Sequence, residues 1–278
     1  MTTSILSTFL SGGFLLIKPL LYSQINDKNS INQASPTPPI TYSGHEQGHF
    51  KILLAGKEVG YENFEISGLA ENFKASGTIE LTVSPKLSDE YPNDLDADLD
   101  DEDFPAPLPR IPQSTGPPVT FRVRALLRFN ELFEPTFYEI IQDSGPDRIR
   151  AKVEFLPDRS QATFYSNDGI DQRRIELQKD VTVLDDNVFH HYLILAKRYD
   201  FTEGGIQEFS AFIPQQFLAE EIRVVDLGEE EIQIENQSYT LRCLMVDTGE
   251  LQVKLWLDKT YKLKKVAIPE AKVEAILQ

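Results

Sequence analysis

The segment with the most obvious chemistry is His45–His49, which reads His-Glu-Gln-Gly-His. On a helix, this H-E-x-x-H spacing places two imidazoles on one face, where they bind zinc while the glutamate acts as a base. Glycines at positions 44 and 48 each weaken such a helix by about 1 kcal/mol. The flanks are a Pro-rich stretch and a strand-like sequence. We expect the entry to a first strand here, and keep a zinc-dependent hydrolase as the less favoured alternative.

A second candidate is the acidic run from Asp89 to Asp103, which contains nine acidic residues and no basic one. Oxygen ligands at every second position are typical of a calcium loop. With Asp94 as the first ligand, position six is Leu99 and position twelve is Pro105, so the turn glycine and the bidentate glutamate are missing. The run predicts a solvated loop.

The remaining reactive side chains have simpler interpretations. His190 and His191 are about 100° apart on a predicted helix and cannot both face one metal, so we expect one beside the apolar stripe and the other exposed. Cys243 lies among apolar residues and is interpreted as a small core side chain. We assign no catalytic residue, metal or cofactor.

A basic row, Arg122, Arg124 and Arg128, follows one face of a predicted strand. We expect these guanidinium groups to pair with acidic residues on a neighbouring strand. The alternative is capture of a ligand carboxylate or phosphate.

Composition limits the partners. The 278 residues include 44 Asp plus Glu against 27 Lys plus Arg, a net charge of −17, which disfavours nucleic acid and anionic surfaces. A single cysteine excludes an internal disulfide scaffold and a zinc ribbon. The 41% hydrophobic content suffices for one large core.

The chain divides into three parts. Residues 1–23 contain a short apolar run typical of a signal peptide, with an uncleaved N-terminal anchor as the alternative. Residues 24–44 are rich in Asn, Ser, Gln and Pro and predict a disordered linker. Residues 45–278 form a single β domain, interrupted by a disordered acidic and Pro-rich insertion at 87–118. We expect the protein to be exported to the periplasm or cell envelope.

Alternation of apolar and polar residues predicts about a dozen strands, most clearly over Val119–Phe129. Short turns such as Gly56-Lys57 make neighbouring strands antiparallel. So many strands must curl, which favours a mainly β fold with a large curved antiparallel sheet, as a half-barrel or unclosed barrel.

One segment has helical spacing. Val188, Tyr192, Leu195 and Tyr199 fall at i, i+4, i+7 and i+11, which predicts one covering helix near residues 186–199. Asp185 or Asp186 is the expected N-cap.

Aromatic residues suggest a ligand-binding wall. A sheet strand that is apolar on both faces, as at residues 137–141, favours either a covering helix or a cavity for an apolar ligand. Core packing is the simpler explanation. The candidate wall residues are Tyr138, Phe155, Phe164, Tyr192 and Phe209.

Three stretches, at residues 50–62, 184–192 and 255–269, resemble an uncharacterised bacterial envelope family related to the outer-membrane lipoprotein carriers. The resemblance implies a strongly curved, unclosed antiparallel barrel with a helix on its concave side. The relatives with a known role carry acyl chains in that concavity.

We therefore expect a non-enzymatic binding or carrier module for an apolar, lipid-like ligand. The alternative is a structural or protein-interaction domain with an envelope protein as its partner, acting through its sheet edges or acidic loop.

Overall fold

The computed structural model describes residues 45–69, 72–83, 118–144, 147–156, 159–167, 169–177, 180–185, 188–214, 218–249 and 251–278. The expected signal segment at 1–23 and the linker at 24–44 lie outside these residues, as does the insertion at 87–118 except for its last position. The calcium-like run from Asp89 to Asp103 falls in the same gap.

In the described ranges, fifteen strands form one sheet. They are β1 (Glu46–Leu54), β2 (Lys57–Leu69), β3 (Asn72–Val83), β4 (Val119–Phe129), β5 (Pro135–Ser144), β6 (Asp147–Glu154), β7 (Ser160–Ser166), β8 (Gly169–Ile175), β9 (Thr182–Val183), β10 (Ile206–Ile213), β11 (Leu218–Ile234), β12 (Gln237–Asp247), β13 (Gln252–Leu257), β14 (Leu263–Ile268) and β15 (Val273–Leu277). Their order across the sheet is β8-β7-β6-β5-β4-β3-β2-β1-β15-β14-β13-β12-β11-β10-β9.

Neighbouring strands are antiparallel, apart from β9, which runs parallel to β10. The predicted turn at Gly56 joins β1 to β2, with positive φ at Ala55 (49°) and Gly56 (76°), the conformation that favours glycine in a tight hairpin. The last segment of the chain, ambiguous in sequence, is strand β15 and pairs with β1. The prediction of a large, curved, mainly antiparallel sheet is confirmed.

The predicted alternation holds in β4, where every second side chain from Phe121 to Phe129 is buried and the intervening arginines face outward. Burial of this face continues across the sheet, and the buried side chains form the main core. Because successive side chains point to opposite faces, the buried set defines the concave face of the sheet.

A single helix occurs in the described part of the chain: α1 (His190–Arg198) lies inside the predicted range 186–199. Leu193, Ile194, Leu195 and Ala196 are buried, so almost the whole circumference of the helix is covered. Lys197 of α1 forms an ion pair with Glu46 of β1 at 2.9 Å. The helix therefore packs on the concave side of the sheet, as expected for a covering helix. No helix in the described ranges combines the length and apolar character needed to cross a membrane.

The predicted helix start needs correction. The N-cap is Phe189, which makes no side-chain capping bond, and not Asp185 or Asp186. The Asp185 carboxylate instead accepts a hydrogen bond from the Tyr138 hydroxyl. The backbone N–H of Phe189 donates to Glu62 of β2, so a distant strand satisfies a group that a local cap normally satisfies.

The two ends of the sheet approach each other without pairing. Phe155, just after β6, packs edge-on against Phe212 of β10, with ring centroids 6.0 Å apart. Tyr138 of β5 bonds Asp185, which follows β9. We call the unpaired junction between the β5–β8 end and the β9–β10 end the seam.

The β11–β12 hairpin crosses the outer face of the sheet. A bulge between Asp226 and Gly228 bends β11, and the tip residue Glu235 forms an ion pair with Lys51 of β1. Under this hairpin lies a second, smaller core made of Leu241, Cys243, Trp256 and Ala267.

Candidate functional site

The H-E-x-x-H motif is extended, not helical. Glu46 to His49 belong to β1, and His45 directly precedes it. At about 3.3 Å per residue, the two histidines are roughly 13 Å apart along the strand, whereas two ligands of one zinc ion each lie about 2 Å from it. His49 Nδ1 lies 2.7 Å from Asn63 Oδ1. The motif therefore lacks the zinc-binding geometry, and no group of three or more His, Cys, Asp or Glu in the described residues is placed to hold a metal.

Two residues of the basic row, Arg122 and Arg124, pair with acidic neighbours, as expected, whereas Arg128 packs against an aromatic ring. Arg122 donates to Glu80 of β3 at 2.8 Å, and Arg124 to Asp143 of β5 at 3.3 Å. The side chain of Arg128 lies over the ring of Phe137, at 5.3 Å. These contacts are on the outer face, away from α1.

The concave face holds a buried polar cluster that the sequence did not reveal. Its members are Glu62, Tyr138, Asp185, His190 and His191, each at most 2% exposed. We call this cluster the polar latch, because it connects α1 and the residues before it to strands β2 and β5.

Glu62 makes two hydrogen bonds to the start of α1. Its Oε2 accepts from the Phe189 N–H at 2.8 Å, and its Oε1 lies 2.5 Å from Nδ1 of His190. Because a carboxylate can only accept, the proton belongs on Nδ1. Two charge-assisted bonds thus compensate the burial of this carboxylate.

His191 has the opposite ring arrangement. Its Nδ1 accepts a hydrogen bond from the Asp185 N–H at 3.2 Å, so the neutral ring carries its proton on Nε2. Burial, together with the charge of neighbouring His190, holds the pKa of His191 well below its usual value. The two rings pack edge to face with centroids 4.8 Å apart. The expectation that one histidine is exposed is wrong, since both are 0% exposed.

The polar latch occupies space that a side chain at position 77 would otherwise fill. A Cβ built on Gly77 of β3 would lie 2.7 Å from Cε1 of His190 and 2.8 Å from Oε1 of Glu62. Contacts of this length require the neighbours to shift. Glycine at position 77 therefore makes room for the Glu62–His190 pair.

The chemistry of the latch is limited by its burial. A histidine with Nδ1 bonded to a carboxylate resembles the base of a hydrolase, and Nε2 of both His190 and His191 has no hydrogen-bond partner among the described residues. Neither ring reaches solvent. In this conformation the latch holds the helix and cannot meet a substrate.

The predicted wall residues separate into two sets. Tyr138 is fully buried and belongs to the polar latch, so it offers no exposed surface in this conformation, and ligand binding by it stays a prediction. The other four are half-buried and pack against the margin of the main core: Phe155, Phe164, Tyr192 and Phe209.

The wall residues lie on several elements around the seam. Phe164 is on β7, Phe155 follows β6, Tyr192 is on α1 and Phe209 is on β10. Phe155 reaches β10 through Phe212. The prediction located apolar side chains at the margin of the core, but ligand binding by them stays a prediction.

The latch carried little signal in the sequence. Glu62 sits in an ordinary run of alternating residues, and only its register in the folded sheet places it on the concave face beside Phe50 and Ile79. A single charged residue at an inward position of a predicted strand is the signal that could have identified it.

Comparisons with known proteins give no family assignment. No protein-family model matches the chain, and no curated protein matches it. The chain is similar in structure to a β-barrel-like protein of the domain of unknown function DUF1849 from Brucella abortus, with a TM-score of 0.48, 7% identity, and coverage of 84% of this chain and 94% of that chain. It is also similar to a DUF1089 family protein from Pseudomonas aeruginosa, with a TM-score of 0.40, 7% identity, and coverage of 84% and 95%.

Proposed function

We propose that this protein binds an apolar, lipid-like ligand on the concave face near the seam, as a binding or carrier module and not as an enzyme. The support is the set of four half-buried aromatic side chains, Phe155, Phe164, Tyr192 and Phe209, which offer apolar surface next to the main core. Exposed apolar surface of this kind is typical of a binding site.

The proposal rests on one observation: at one level of the concave face, the side chains are buried on β3 and β4 but only half-buried on β5 and β7. Along one level of the sheet, Gly77 of β3 pairs with Ala125 of β4, which pairs with Ile140 of β5. Ile140 pairs with Ala151, and Ala151 with Phe164 of β7.

The exposure changes along this level. Ala125 is 3% exposed and Ala151 5%, whereas Ile140 and Phe164, on either side of Ala151, are only half-buried. The cover over Ile140 and Phe164 is therefore incomplete, and an apolar chain has a surface on which to lie.

The sequence resemblance to the lipoprotein carriers supports the same proposal, because the carriers hold acyl chains on the concave side of an unclosed antiparallel barrel. A location in the periplasm or cell envelope is part of the proposal and rests on residues 1–23. Fractionation of the expressing cells, with N-terminal sequencing of the mature chain, tests it: recovery of the intact chain from the cytoplasm would contradict export.

A second candidate function is protein interaction through the sheet edge. β8 is the last strand of the sheet, so one side of its backbone has no strand beside it in the described residues. Such edges accept an added strand from a partner. A co-purifying protein, displaced by substituting proline for Gln172 in β8, would favour this candidate over ligand binding.

Titration with the neutral fluorescent probe N-phenyl-1-naphthylamine tests the binding proposal. We expect saturable fluorescence enhancement that Phe164→Ser weakens. The matched control is Tyr165→Ser: Tyr165 is the next residue of β7, faces outward and lies under Arg150 at 5.4 Å. Equal loss in both variants, or no saturable binding to the wild type, would contradict the proposal.

A further inference from the structure

Arg198 occupies an unusual position at the end of α1. Its Nη2 donates to the backbone carbonyl of Asp180 at 2.6 Å. Its guanidinium carbon lies 5.6 Å from the centroid of the Phe209 ring. Arg198 thus contacts one of the half-buried aromatic residues of the proposed binding surface.

The charge of Arg198 has less compensation than that of four arginines on the sheet. Arg122, Arg150 and Arg223 each form an ion pair with a carboxylate, as does Arg242. No carboxylate of the described residues forms an ion pair with Arg198, and its Nη1 is buried without a hydrogen-bond partner. A buried guanidinium donor without an acceptor is costly in a folded protein.

The surroundings compensate this charge only in part. The negative end of the α1 dipole and the Asp180 carbonyl favour a cation here. The carboxylates of Asp180 and Glu134 act on it from longer range. Burial nevertheless lowers the pKa of Arg198 from its usual value, which shows that desolvation outweighs these contributions.

We propose that Arg198 binds the anionic head group, a carboxylate or a phosphate, of an amphiphile whose apolar chain lies on the concave face. This inference rests on the proposed function and adds the ligand class to it. Unlike the two latch histidines, Arg198 is only half-buried, so a head group can approach its guanidinium. Nη1 supplies a charge-assisted hydrogen bond to the head group, and Phe209 supplies apolar contact to the first carbons of the chain.

Competition against N-phenyl-1-naphthylamine at neutral pH tests this ligand class with decanoate, decyl phosphate and decanol. One charge-assisted hydrogen bond corresponds to roughly a 10-fold or larger difference in affinity. We therefore expect decanoate and decyl phosphate to compete at least about 10-fold better than decanol. A preference for only one of the two anions identifies the head group as carboxylate or phosphate.

Variants isolate the guanidinium. Arg198→Gln should remove the preference for the anions and leave decanol affinity unchanged, while Arg198→Lys should keep part of it. The matched control is Arg150→Gln, because Arg150 also lies over an aromatic ring but is paired with Glu139 on the outer face. This control should behave as the wild type. Circular dichroism of each variant verifies folding.

Two results overturn the inference in distinguishable ways. In the first result, decanol competes as well as the anions, or Arg198→Gln and Arg198→Lys both keep the preference for the anions. The concave face then binds apolar chains, but Arg198 does not bind the head group. If none of the three compounds displaces the probe, the proposed function fails together with the inference.

Discussion

The Glu62 carboxylate and Nδ1 of His190, which are 128 residues apart in the chain, lie 2.5 Å apart in a place that solvent does not reach. This contact fixes where α1 enters the concave side of the sheet. It joins strand β2, near the start of the described residues, to the first residue of α1. A buried carboxylate is retained here because both of its oxygens receive a donor.

Removing the Glu62 carboxylate should destabilise the fold strongly. Glu62→Ala leaves the Phe189 N–H and the His190 Nδ1–H buried without acceptors, each worth about 1–3 kcal/mol. We expect the free energy of unfolding from urea titration to fall by about 3 kcal/mol. Glu65→Ala, at an exposed position of the same strand, should change it by less than about 0.5 kcal/mol. Similar losses in the two variants would show that Glu62 has no special role.

Gly77→Ala should destabilise the protein through steric contact with the latch. The added methyl group would meet Cε1 of His190 at 2.7 Å, and overpacking of this kind costs about 1–3 kcal/mol. In a His190→Ala background the contacts with the imidazole disappear and the contact with Oε1 of Glu62 at 2.8 Å remains, so the same substitution should cost clearly less. Additive losses in this double-mutant cycle would contradict a clash with His190.

Stability should decrease in mild acid because of His191, whose neighbours are His190, Tyr138 and Asp185. The pKa of His191 in the folded protein lies well below the usual 6.5, so the unfolded chain binds a proton that the folded chain excludes. Stability is therefore full above about pH 6.5 and falls as the pH drops toward the folded pKa, by up to about 1.4 kcal/mol per pH unit.

The measurement is the free energy of unfolding between pH 7.5 and pH 5 for wild type, His191→Asn and His45→Asn. The asparagine oxygen can replace Nδ1 as the acceptor for the Asp185 N–H without titrating, so His191→Asn should flatten the dependence. His45 is exposed, with 57% of its side chain accessible, and its variant should keep the wild-type slope. An unchanged slope in His191→Asn would rule out this residue as the source.

Cys243 should be nearly inert to thiol reagents in the folded protein. Burial beneath the β11–β12 hairpin raises its pKa to about 12, so the reactive thiolate is scarce at pH 8. We expect labelling by iodoacetamide at least about 10³-fold slower than in denaturant. Trp256→Ala removes the neighbouring indole, whose Nε1 donates to Glu230 at 2.9 Å, and should speed the labelling. Fast labelling of the native wild type would mean that the hairpin does not cover this cysteine.

Local patterns predicted the elements better than the contacts between them. Strand β4 was predicted from the alternation in Val119–Phe129, and helix α1 from the spacing of Val188, Leu195 and Tyr199. Each pattern marks one buried face of its element. The ion pair of Arg122 with Glu80 agrees with the prediction that these arginines pair with acidic residues on a neighbouring strand.

The latch was not predictable because it depends on register over long separations. His190 is buried because Glu62 and Gly77, on two different strands, meet it at one level of the concave face. Asp185 has the residue type of an N-cap, yet its carboxylate accepts a hydrogen bond from the Tyr138 hydroxyl instead of capping the helix. A hydrogen bond in a buried, water-free environment is stronger than one exposed to solvent. Such tertiary partners override local capping preferences.

Mapping the binding surface by NMR is the most direct test of ligand binding near the seam. In a titration of isotope-labelled protein with decanoate, we expect saturable shift changes at Phe155, Phe164, Tyr192 and Phe209, together with the guanidinium of Arg198. Residues of the outer face, such as Tyr165 and Trp256, should stay unchanged. Saturation without any change at the four aromatic residues, or changes confined to the outer face, would contradict the account.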